Sequence, residues 1–221
     1  MRKIQLANGA YYHIFNRGVD KRDIFVDKKD YERFHLSLIL MNDEKNGLMF
    51  QWKNYKAAHP RMILDEFLRL SLKERKKMVN VVAYCLNPNH YHLILKQTRS
   101  RGIEKFMHRL STGYTMFFNE RYHRNGSLFQ GSFKATHIDS NVLLLHLAVY
   151  VNCNCEIHGI ARAELYDWCS FPDYLKKRRS NILSKNIISD QFKNTQSFKD
   201  FSKSYIKHFK ERKADQKIFL E

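Results

Sequence analysis

The stretch from Tyr84 to Leu95, YCLNPNHYHLIL, constrains the folding of this chain more than any other. It is apolar and β-prone on both sides of Asn87-Pro88-Asn89. Proline lacks a backbone N–H and fixes its own φ, and asparagine tolerates turn geometry, so the triplet reads as a tight turn joining two strands, Val79 to Leu86 and Tyr91 to Lys96. His90 and His92 stand at the start of the second strand. Side chains two apart on a strand point the same way, so both imidazoles share a face. Two imidazoles side by side are half of a divalent-metal site. A His-x-His pair in a strand is also a common accident, so its weight depends on what the rest of the chain supplies.

Around this hairpin the periodicity alternates between strand and helix. Tyr11 to Asn16 reads as a first strand, ended by Arg17-Gly18. Asp27 to Met41 has helical spacing in Tyr31, Phe34, Leu38 and Met41. Leu48 to Trp52 is short and apolar, and Met62 to Leu72 looks helical. Gly102 to Tyr122 is a long amphipathic helix with Ile103, Phe106, Leu110, Tyr114 and Phe117 on one stripe. Leu128 to Ile138 reads as a fourth strand, and Asn141 to Asn154 as a helix capped by Asp139 or Ser140. This order predicts an α+β fold: a ferredoxin-like antiparallel sheet with helices on one face, as in split βαβ arrangements.

The formal net charge of +17 exceeds what solubility needs and points to a polyanionic partner, nucleic acid first and a membrane surface second. Twelve Tyr and 16 Phe would suit stacking on unpaired bases, although core packing accounts for most of them. The four cysteines include no C-x-x-C pair, which argues against a zinc ribbon. The beginning, MRKIQLANGA, lacks the apolar run of a secretory signal. The apolar run Val142 to Val151 is broken by His146 and too short to span a bilayer. The expectation is a soluble cytoplasmic protein without membrane partners.

From Lys176 the composition shifts. Residues 176–221 hold 13 Lys and Arg against 5 Asp and Glu, so 13 − 5 = +8 of the net charge lies there. KKRRS reads as a linker start. Phe192, Phe198, Phe201, Tyr205 and Phe209 recur at helical intervals. The expected division is a domain over 1–175 and a basic, helical C-terminal tail over 176–221.

A pair of histidines needs a third ligand to hold a hard cation. Tyr150 and Asn154 are four apart on the expected last core helix, so they share a face. Two imidazoles and an amide oxygen leave positions open for a phosphate oxygen, which suits Mg²⁺ or Mn²⁺ acting as a Lewis acid on a phosphodiester. A tyrosine hydroxyl beside it could attack phosphorus. Tyr114 is a rival nucleophile, but no polar ligand lies one turn from it. His146, one turn before Tyr150, reads as a core histidine or as outer support for the site. Arg17, Arg121, Arg124 and Lys134 are candidate phosphate contacts.

Five blocks in order carry a family resemblance: YYHIFNRGVDKRDIF, YCLNPNHYHLIL, YTMFFNERYHRNGSLFQGSFKA, YVNCNCEIHGI and WCSFPDYL. The chain resembles the single-tyrosine HUH transposases, and within them the REP-associated tyrosine transposases, over most of residues 10–175. The resemblance implies that His90, His92 and Asn154 hold a divalent metal, Mg²⁺ or Mn²⁺. It implies that Tyr150 is the nucleophile and that Gly159 ends its helix. It also implies a single-stranded or hairpin DNA substrate, cleaved to a 5′-phosphotyrosine and a free 3′-OH and rejoined without a nucleotide cofactor, by a homodimer or a monomer. Two departures stand out: Cys155 occupies the place of a usual proline, and residues 46–78 form a longer insertion than usual. The alternatives are an inactive nucleic-acid-binding module and a metal-dependent phosphodiesterase that uses water.

Overall fold

The structure, a computed structural model, describes residues 5–178, 180 and 182–215, with side chains described through Glu211. Four strands, β1 (Tyr11–Arg17), β2 (Val79–Asn87), β3 (His90–Gln97) and β4 (Lys134–Ile138), pair antiparallel in the order β2-β3-β1-β4. Pro88 and Asn89 form the expected turn, and the hairpin sets Asn87 against His90 and Cys85 against His92. On the other side of β3, Phe15 faces His92 and Arg17 faces His90. The sheet thus brings the beginning of the chain beside the histidine pair.

One face carries Tyr12, Ile14, Tyr84, Leu86, Tyr91, Leu93 and Leu95, all buried. Against it pack α1 (Lys28–Leu40), through Tyr31, Phe34 and Leu38, and the residues of Gly102–Arg121 named below. Asp27 caps α1 by accepting from the Lys29 and Asp30 amides, which satisfies two donors that the first turn would leave orphaned. Residues 46–78 contain two helices, α2 (Leu48–Ala58) and α3 (Leu64–Ser71), so the stretch starting at Leu48 is a helix longer than its apolar part. They enclose a small separate core of Leu40, Leu48, Phe67, Leu68 and Leu72. The long helix α4 (Gly102–Arg121) buries Ile103, Phe106, Leu110 and Tyr114. Its first residue must be glycine, because a Cβ there would stand 2.2 Å from the Met78 carbonyl oxygen.

The second face is covered as well, where the sequence reading places helices on one face alone. Val82, Ala83, Cys85 and Ile94 pack against α5 (Asn141–Asn152), α6 (Asn154–Ile157) and α7 (Phe171–Tyr174). The reason is visible in the strands. NVVAYCL and HLIL do not alternate apolar with polar, and a strand apolar on both sides must be buried on both.

The basic segment completes this second layer instead of standing apart. Arg178 ion-pairs with Asp173 at 2.5 Å and donates to the Tyr84 hydroxyl, so the expected linker start is tied to the core at this residue rather than leading away from it. Leu183 forms a parallel bridge to Val81 at the sheet edge. After α8 (Asn186–Ser189), the long α9 (Thr195–Asp215) buries Phe198 and Ile206 in the second core. Lys199 reaches Glu164 at 2.6 Å and Lys210 reaches Glu156 at 3.8 Å, so part of the tail's charge is matched internally.

Two element boundaries also differ from expectation. The fourth strand begins at Lys134, because Gly126 and Gly131 adopt positive φ and bend the preceding chain; only Phe129 makes an isolated bridge, to Gly18. The tyrosine helix ends at Asn152, two residues early. Cys153 leaves helical geometry (φ −109°, ψ 14°), and Asn154 opens a new turn. Ser140 is its N-cap, accepting from the Leu143 amide.

Candidate active site

His90 and His92 emerge on the second face of β3, with ring centroids 5.2 Å apart. Tyr150, on the α5 surface laid over that face, brings its ring to 5.4 Å from that of His92, edge to face. The three line one pocket, together with Asn89, Arg17 and Lys134. Lys21 is on the same rim, placed there by a left-handed turn at Asp20 and Lys21.

Asn154 is fully buried beside His90. Its Oδ1 stands 3.1 Å from His90 Nε2. Asn87 directs Nδ2 at both atoms, 2.9 Å from the imidazole nitrogen and 2.5 Å from the amide oxygen. The orientation of the Asn87 amide is set by the Cys85 thiol, which donates to its Oδ1 at 3.4 Å. On the far side of His90, Nδ1 lies 2.6 Å from Asn89 Oδ1. A carboxamide oxygen can only accept, so Nδ1 carries the proton and Nε2 keeps its lone pair. Two acceptor atoms, one imidazole and one amide, therefore converge on one donor, Asn87 Nδ2, which a cation held there would displace. That donor set, with His92 adjacent, fits a divalent cation. Among the described residues no group of three or more His, Cys, Asp or Glu is arranged to hold a metal. The fit therefore rests on the amide oxygen joining two histidines.

Burial governs the protonation of this region. It lowers His92 well below the usual imidazole value, with His13, His90 and His158 adding repulsion. It brings His13 down to about 4. Both are neutral at physiological pH, as metal-site imidazoles must be. Cys155, where a proline was expected, is buried beside Cys85 and Cys169. Burial pushes the Cys85 and Cys169 thiols up.

The other candidate residues divide. Lys134 lies over the Phe15 ring at 5.7 Å on the pocket rim. Arg17, also on the rim, donates from Nε to Gln130 Oε1. Arg121 does not belong with them: it ion-pairs with Asp27 and with buried Asp30, the latter at 2.6 Å, and ties the end of α4 to the start of α1. Arg124 donates to Asn119 Oδ1 at 3.2 Å and stacks over Phe118, away from the pocket lining. Tyr114 is fully buried in the first core and donates to the Ile24 carbonyl at 2.5 Å. Burial raises its pKa steeply. His146 is bonded to the Tyr205 hydroxyl at 2.7 Å, which makes it a docking point for α9.

Sequence reasoning missed four neighbours. His13 bonds to His92 at 2.9 Å, and His158 sets its ring 5.1 Å from that of His90. Asn87 and Asn89, read only as turn formers, both contact His90. The strand period places His13 on the face of Phe15 and Arg17, but only the register of β1 against β3 brings it to His92.

Residues 48–154 match the family model described as IS200-like transposases. Among solved structures, the fold is similar to one described as a REP-associated tyrosine transposase bound to a REP hairpin. The TM-score is 0.50 with 11% identity, over 83% of this chain and 93% of that one, so the likeness is one of fold. No curated protein sequence matches the chain.

Proposed function

We propose that this chain, whose residues 48–154 match the IS200-like transposases, is such a transposase and cleaves and rejoins single-stranded DNA in the pocket shared by Tyr150, His90 and His92. The substrate is a strand folded as a hairpin, the kind of DNA carried by the structurally similar transposase. The Tyr150 hydroxyl attacks the scissile phosphorus. A bond forms from Tyr150 Oη to phosphorus and the bond to the 3′ oxygen breaks. The phenolic proton is lost and the leaving 3′ oxygen gains one, so the products are a 5′-phosphotyrosine and a 3′-OH. Attack by a 3′-OH reverses the step and joins strands, with no nucleotide cofactor consumed. The protein would act in the cytoplasm, where its DNA lies.

His90, His92 and Asn154 would hold Mg²⁺ or Mn²⁺, which when bound supplies Lewis acidity to the phosphate. Arg17, Lys21 and Lys134 on the rim would hold flanking phosphates. The observation that carries this reading is the meeting, in one pocket, of a tyrosine, two imidazoles and three cations from five separate parts of the chain. Denaturing electrophoresis of the protein with a hairpin oligonucleotide and Mn²⁺ tests it, a shifted covalent band being the expected result. Free cleaved ends without any adduct would favour water as the nucleophile. Binding without cleavage would favour an inactive binding module.

Two further results are expected. His90→Ala should weaken Mn²⁺ binding, measured by calorimetry, by more than the roughly 10- to 100-fold loss that follows from removing an outer support of a metal ligand. Equal affinity in wild type and variant would remove the histidine from the metal site. Lys134→Met should reduce the slope of log affinity for single-stranded DNA against log salt by about 0.7, the share of one phosphate contact. Arg121→Met should leave that slope alone and lower the denaturation midpoint instead, because it strands the carboxylate of buried Asp30. A lower slope for Arg121→Met would return that residue to the DNA surface.

A further inference from the structure

We infer that His13 is a positioning residue: by accepting from His92 Nδ1–H, it holds His92 in the tautomer whose bare nitrogen, Nε2, serves the pocket. The contact is His13 Nε2 to His92 Nδ1, at 2.9 Å between two buried side chains. Their rings are nearly parallel, 15° apart. The register explains the meeting. Phe15 pairs with His92 and His13 with Ile94, so His13 and His92 are diagonal neighbours on one face.

At 2.9 Å the two facing nitrogens share one hydrogen bond, so a single proton lies between them. It belongs to one ring or the other, and the choice decides what His92 can do. With Nδ1 engaged by His13, the nitrogen left for the pocket is Nε2. If His13 were the donor, His92 would carry its proton on Nε2 and could not ligate a cation. If His92 is the donor, Nε2 has a free lone pair, and donation into His13 raises its basicity. This choice of donor rests on the metal reading of the pocket. His90 supplies the parallel: its Nδ1 donates to Asn89 Oδ1 and its Nε2 lone pair faces Asn154. Each ligand histidine would then be fixed by an acceptor behind it, Asn89 for one and His13 for the other.

Nitrogen NMR of the full chain, labelled in histidine, reads the tautomer directly. A protonated Nδ1 and bare Nε2 on His92 are expected, and the reverse pattern overturns the inference. His13→Phe removes the acceptor. Mn²⁺ binding by calorimetry should weaken about 10- to 100-fold, and the His92 signals should shift toward the other tautomer. His13→Gln, whose amide oxygen can accept, should recover most of the affinity. Wild-type affinity in His13→Phe would also overturn the inference, because a side chain that only packs moves stability and not the tautomer. Should His13→Phe fail to fold, the wild-type spectrum still decides. If the wild type binds no Mn²⁺, the metal reading fails separately, and the spectrum alone judges His13.

Discussion

Tyr150→Phe is expected to abolish the covalent protein–DNA adduct while leaving DNA affinity within a few-fold of wild type. The substitution removes one hydroxyl and keeps the ring, which packs edge to face against His92 at 5.4 Å and against Phe209 at 5.4 Å. The fold, the histidine pair and the rim cations Arg17, Lys21 and Lys134 all persist. Under the proposed mechanism only the attacking atom is gone. Tyr114→Phe is the matched control. Its hydroxyl donates to the Ile24 carbonyl inside the first core, so its loss should cost about 1 kcal/mol of stability and leave the adduct intact. An adduct that survives Tyr150→Phe would overturn the assignment, and its loss in a folded Tyr114→Phe would move the nucleophile to the long helix.

Deleting residues 176–221 is expected to unfold the protein rather than merely weaken its hold on DNA. Composition alone describes this segment as a basic appendage whose removal spares the core. The structure makes it part of the core. Ile182, Ile188, Phe198 and Ile206 are all buried, and Phe198 stacks on Tyr174 at 5.0 Å. Burying an aliphatic or aromatic side chain contributes roughly 1.5–3 kcal/mol, so four contribute roughly 6–12. Whole domains are stable by about 5–15 kcal/mol. The deletion therefore removes a share comparable to the total. Phe198→Ala is the milder probe, expected to cost about 3–5 kcal/mol in urea unfolding. A truncated chain that unfolds cooperatively at the wild-type midpoint would show that α9 is dispensable.

The contrast between these segments shows what a sequence discloses. His90 and His92 were legible because their relation is local: the period of a strand and a proline turn suffice to put them on one face. The spacing of Tyr150 and Asn154 implied one unbroken helix, whereas α5 ends between them, and each meets the histidine pair separately, Tyr150 beside His92 and Asn154 beside His90. Contacts that depend on register across the sheet were not. His13 is 79 residues from His92, and no local pattern distinguishes it from any other strand histidine. Arg121 looked like a phosphate contact because its carboxylate partners, Asp27 and Asp30, lie more than 90 residues earlier. His146 looked unattached for want of Tyr205, 59 residues on. The aromatics of the tail announced a helix, but nothing in their spacing said which surface it would cover. That surface was nonetheless advertised by the strands, whose lack of alternation required a second covering layer.

With the helix interrupted at Cys153, the tyrosine and the asparagine stand on separate footings. On one unbroken rod they would be about 6 Å apart along the axis, and any tilt that moved one would carry the other. Here the rod stops at Asn152, and Asn154 is clamped to the sheet by Asn87 and His90. Tyr150 rides on the lever, and Asn154 is bolted to the bench. The place of Tyr150 is therefore set by the seat of α5, and that of Asn154 by its hydrogen bonds to β2 and β3.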